Sequence, residues 1–184
     1  MSLAADVERV ARLAATLAGP DATVSGVVPT EPRPGAPVYL CSFDGADGSR
    51  SWLAVREDGS PVADRLEVRA AVSIAGLCEL AEDVAGGGEL DALIERLEEI
   101  RRTESPPGIE DAVTAARELL AVLGEPPQLA TPERLDAIGA ATWRLERELD
   151  PSGASAFSLA MRSGQVAVSE LQRDVEAGYL LPLD

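Results

Sequence analysis

The chain contains no lysine, no histidine and no asparagine. Without lysine there is no P-loop phosphate ligand, no Schiff base and no pyridoxal anchor. Without histidine there is no Ser-His or Cys-His nucleophile pair and no imidazole metal ligand. The chemistry left to the protein rests on carboxylates, hydroxyls, two thiols and arginine, which supplies all 16 of its bases. Two cysteines, Cys41 and Cys78, are too few for a disulfide framework and lack the spacing of a CxxC redox or zinc motif, so they read as reduced core thiols. No apolar run approaches the roughly 20 residues of a membrane span, and no basic segment precedes an apolar one at the N-terminus. These features predict a cytoplasmic protein that does not enter a membrane. Basic residues are also outnumbered: 32 acids give a net charge of −16. Nonspecific nucleic-acid binding and docking on anionic lipid both need basic patches, so the composition argues against both and favours a basic or cationic partner.

Helical periodicity fills most of the chain. Leu3, Val7, Val10, Ala14 and Leu17 form an apolar stripe closed by Gly19-Pro20. Val24, Val27 and Val28 then lead to a proline-rich connection from Pro29 to Pro37. Two strand-like runs follow, 38–43 and 51–55, separated by the turn-forming Asp44-Gly45-Ala46-Asp47-Gly48. This reads as a three-stranded antiparallel meander packing one face on helices, with Tyr39, Phe43 and Trp52 in its core. Asp64 and Glu67 have the spacing of a capping box, and the stretch to Val84 is apolar nearly all round, as in a helix at the centre of a fold. Gly86-Gly87-Gly88 breaks it. Four more helices are predicted: one striped by Leu90, Leu93, Ile94, Leu97 and Ile100, one from Ile109 to Leu123, one opened by Thr131-Pro132, and one from about Phe157 to Gly178. The expected fold is α+β and mainly α: six helices forming a bundle, with a small three-stranded antiparallel meander inserted after the first helix. No linker divides it, so 1–184 reads as a single domain, with helix and meander over 1–63 and the helical bundle over 64–184.

The acids concentrate between 79 and 99. Glu79/Glu82 and Glu95/Glu98 are each spaced i, i+3, which puts two carboxylates on one side of each of two successive helices. If the glycine turn makes those helices antiparallel neighbours, the four oxygens form a hard-ligand set suited to Mg²⁺ or Mn²⁺. This ExxE, twelve-residue spacer, ExxE pattern resembles the acidic signature of the all-α MazG-like nucleotide pyrophosphohydrolases. The resemblance covers some 20 residues and implies a Mg²⁺-dependent hydrolase of nucleoside triphosphates with Glu79, Glu82, Glu95 and Glu98 as metal ligands. That family's second element is usually ExxD and its phosphate contacts are lysines; here the element is ExxE and only Arg96, Arg101 and Arg102 are near. The chain also holds no more i, i+3 acid pairs than its 32 acids in 184 residues would produce by chance. Metal-dependent hydrolysis is therefore the second reading.

The first reading is a non-catalytic protein-interaction or binding module with no cofactor. Its candidate contact residues are Trp143, which lies beside and not on the stripe Leu135, Ile138, Thr142, Leu145 and Leu149, and the apolar tail residues Tyr179, Leu180 and Leu181, which Pro182 keeps out of the preceding helix. The partner is another protein or a second copy of the chain in a homodimer.

Overall fold

The computed structural model of the chain describes residues 2–86 and 89–184. It is α+β and mainly helical, 59% helix and 13% strand, with a three-stranded antiparallel sheet after the first helix. The elements run α1 (Leu3–Ala18), β1 (Val24–Thr30), β2 (Val38–Asp44), β3 (Arg50–Val55), α2 (Arg65–Gly86), α3 (Leu90–Thr103), α4 (Ile109–Leu123), α5 (Pro132–Leu149) and α6 (Ala156–Ala177). Of the expected glycine break, Gly86 ends α2, while Gly87 and Gly88 lie outside the described residues. Contacts divide the chain into two compact units. One comprises Met1–Leu77, Pro126–Pro132 and Val166–Asp184; the other comprises Cys78–Glu125 and Glu133–Gln165.

In the first unit the strands lie in the order β1-β2-β3. Thr30 faces Val38 in one ladder, and Tyr39 faces Val55 in the other. The central strand differs from the one-faced sheet that the sequence suggested, because both its faces are covered. Tyr39, Cys41 and Phe43 pack with Val10 and Ala14 of α1, whereas Val38 and Leu40 pack with Val68, Ala71, Val72 and Ala75 of α2. Alternate residues of a strand point to opposite faces, so the unbroken apolar run Val-Tyr-Leu-Cys supplies both layers.

Both outer edges of the sheet are also occupied. On β1, the connection starts two residues later than its prolines suggest: Pro29 is a strand residue whose carbonyl faces outward and accepts from Ala130 N at 2.9 Å, while Glu31 N donates to Ala130 O at 2.8 Å. An edge position is where a strand tolerates a residue with no N–H. On β3, Trp52 N donates to Gly178 O and Leu180 N donates to Trp52 O, both at 2.9 Å, so the segment after α6 adds as a short parallel strap. Neither edge is left as a free pairing template.

Helix α2 has the predicted all-round burial, with five of its 22 residues exposed. One of the five is Leu66, at 72%, in the first turn. The start of α2 is half of the expected capping box. Asp64 Oδ1 accepts from Leu66 N at 2.8 Å, but the Glu67 carboxylate turns away from Asp64 and accepts from both terminal guanidinium nitrogens of Arg56, at 2.5 and 2.9 Å. A charge-assisted pair of bonds to the arginine replaces the single bond to a helix-end N–H. Leu17 and Leu149, on the predicted stripes of α1 and α5, are exposed because each lies in the last turn of its helix.

The second unit is held by two apolar clusters. Leu97 of α3 joins Val113, Ala116 and Leu119 of α4 and Leu145 of α5, and Ile138 of α5 joins Ala81 and Phe157. Helix α3 packs closely on α4. Ala85, at the end of α2, packs against the same cluster.

Candidate functional site

The two sets of residues marked in the sequence have different surroundings. Glu82, on α2, is claimed by Arg134: its Oε1 accepts from Nη2 at 2.8 Å and from Nε at 3.1 Å. Glu98, on α3, pairs with Arg117 of α4. Glu79 and Glu95 are exposed. The cleft along α3, about 680 Å³, places Glu95, Glu98 and Glu99 beside Arg96 and Arg102, so its lining is of mixed charge. Among the described residues no group of three or more acidic or sulfur side chains comes together as a metal-ligand set. Of the four glutamates, Glu82 and Glu98 are held in ion pairs and Glu79 and Glu95 face solvent. Displacing arginine from an existing pair opposes cation binding, whereas a site filled to 100 times its dissociation constant would add about 2.7 kcal/mol. Millimolar Mg²⁺ or Mn²⁺ is therefore expected to leave the melting temperature unchanged in a calorimetric scan. A saturable rise that disappears in Glu82→Gln would refute this.

Arg134 is the group that the sequence did not reveal. Its side chain is 12% exposed, and beyond Glu82 it donates to Val122 O at 3.0 Å and Leu123 O at 2.8 Å. Those are carbonyls of the last turn of α4, which lack partners within the helix. One guanidinium thus closes α4 and ties α5 to α2 within the second unit. Exposed pairs Arg117–Glu98, Arg101–Glu110 and Arg144–Glu118 join α3 to α4 and α4 to α5. Such surface pairs stabilise weakly and mainly fix register.

Both cysteines are buried, and burial pushes the Cys41 thiol up to about 12. A thiol held protonated in this way is a poor nucleophile.

The apolar candidates separate. Tyr179 is folded into the first unit: its ring packs against both apolar layers, its hydroxyl donates to Val62 O at 2.6 Å, and it accepts from Ala54 N at 2.9 Å. Leu180 and Leu181 sit on the outside of the same strap and are exposed. Trp143, on α5 of the second unit, is 55% exposed, with the Arg147 guanidinium 5.7 Å from its ring centroid. No described helix is long and apolar enough to cross a membrane. Comparison with protein-family models, with curated proteins and with solved structures finds no match to this chain.

Proposed function

We propose that this chain is a cytosolic, non-catalytic protein-interaction module whose contact surface includes the outer face of α5. The observation that carries the reading is the exposure of Trp143, the largest side chain type, with arginine stacked on it. Tryptophan and arginine are the residues most enriched among interface anchors, and a solvated indole forgoes the burial that its size makes favourable. The acids around it support the same reading, because a strongly negative surface keeps such a protein soluble while it awaits its partner.

The test places a photo-cross-linking residue at Arg144, beside the intact Trp143, in the full chain, in the cells that produce it. A discrete adduct is expected, whose captured protein, once purified, binds the wild type and not Trp143→Ala. No adduct overturns the reading. So does Mg²⁺-dependent hydrolysis of a nucleoside triphosphate that is abolished by Glu82→Gln with Glu98→Gln.

A further inference from the structure

The outward stripe of α5 is Asp136, Ala140, Trp143 and Arg147, all four exposed. At 100° per residue these positions fall within an arc of about 60°, so they form one narrow seam along roughly 17 Å of helix. The order along the seam is acid, small, large, base. Asp136 stands four residues before Ala140, and Arg147 stands four after Trp143. Two such helices laid antiparallel, with a two-fold axis midway between Ala140 and Trp143, bring every position opposite its complement. Each indole meets the methyl group of Ala140, and each Asp136 meets Arg147 of the second copy.

We infer that the seam on α5 binds the same seam of a second copy of this chain, in an antiparallel two-fold pair centred between Ala140 and Trp143. The inference rests on the interaction-module reading and names its partner. Charge complementarity selects the occupant: among the described residues neither Asp136 nor Arg147 has an ion pair within its own chain. Isologous pairing supplies each with one. Size complementarity fixes the register, because the small Ala140 leaves room on the helix surface for a facing indole. At the outer ends this register sets Glu133 opposite Asp150, a like-charged pair. Asp150 lies beyond the last residue of α5, and its carboxylate is engaged by Ser152 N and Oγ at 3.2 and 3.1 Å. The net charge of −16 per chain opposes association, but at physiological salt charges more than about 8 Å apart are largely screened, which leaves the local seam to decide.

The experiment is sedimentation velocity on the full chain at tens of micromolar, with circular dichroism confirming that each variant is folded. A dimer is expected for the wild type and a monomer for Trp143→Ala. Asp136→Arg and Arg147→Asp, each of which sets like charges face to face, should each weaken the dimer at least about tenfold. The two together restore opposite charges, and association should return to within a few-fold of wild type. A purely structural role for either residue would not produce that rescue. A monomeric wild type, or a dimer indifferent to the single reversals, overturns the inference. If the wild type is monomeric and position 144 still cross-links to a different protein that Trp143→Ala does not bind, the second copy is ruled out and the interaction-module reading stands. If position 144 cross-links to nothing, that reading falls as well.

Discussion

Arg134→Met is expected to lower the stability of the helical unit by about 3 kcal/mol in urea unfolding. Carbonyls of Val122 and Leu123 at the end of α4 and the carboxylate of Glu82 all lose their donor at once. A buried acceptor left without a partner costs about 1 to 3 kcal/mol, and breaking a fully buried ion pair costs about 3 to 5. Glu82 is 40% exposed, so water recovers part of its share and the lower end of the range applies. Arg134→Lys should recover little, because a single ammonium group cannot serve a carboxylate and two carbonyls on separate sides of a planar fork. Glu82→Gln should cost about 1 kcal/mol, since an amide can still accept from the guanidinium and its other face reaches water. Loss of less than about 1 kcal/mol in Arg134→Met would show that solvent already satisfies the end of α4.

That arrangement marks where the sequence stops being legible. Helices announce themselves because their burial is periodic: Val10 and Ala14, Ile109 through Leu119, and Ile138 through Leu145 each repeat at three and four residues and are buried as the pattern requires. The meander is equally plain from its turns. Arg134 leaves no such trace. Its partners at Glu82, Val122 and Leu123 are 52, 12 and 11 residues away, and two of them are backbone atoms that carry no side-chain signature. Glu67 illustrates the same point in reverse. Its position three residues after Asp64 is a local motif, but a bidentate partner just past the end of β3, Arg56, offers it more than the motif does. The glutamates of α2 and α3 were grouped through their spacing along the chain, and spacing does not fix which helix packs beside which. Where α3 lies along α4, its acid Glu98 meets Arg117 of α4. For the α5 seam, by contrast, the sequence holds the whole pattern. What it lacks is the exposure of Trp143, which only the packing of the opposite face against Ala81 and Phe157 determines.

Tyr179→Ala is expected to have a larger effect still, about 4 kcal/mol on the sheet-containing unit, because truncating a core aromatic costs about 3 to 5 kcal/mol. The ring touches both layers of the sheet and its hydroxyl joins Ala54 to Val62, so its loss frees the strap from β3 as well as opening a cavity. Tyr179→Phe keeps the packing and should cost about 1 to 2 kcal/mol, the value of a backbone N–H and a carbonyl left without that partner. The strap also tolerates no side chain at its hinge: a Cβ on Gly178 would sit 2.7 Å from Arg50 O, so Gly178→Ala must displace backbone and should unfasten the strap in the same way. The hydroxyl gives the unit a pH dependence of definite sign. Burial pushes the Tyr179 phenol up to about 12 from 10.0 and the Cys41 thiol up to about 12 from 9.0, so in both cases the fold favours the protonated form. Above the unfolded values the unfolded chain binds fewer protons than the native one, and stability therefore falls as pH rises. The contribution is fully present below pH 9.0, starts to decline there as the unfolded thiol ionises, falls more steeply above 10.0, and is gone above about 12. Denaturant midpoints measured across that window should fall for the wild type and fall less for Tyr179→Phe, which keeps the shares of the Cys41 thiol and of Tyr39, whose phenol burial also holds above its ordinary value. Equal slopes for the two proteins would mean that the phenol already titrates in solvent, and that the strap is open in solution.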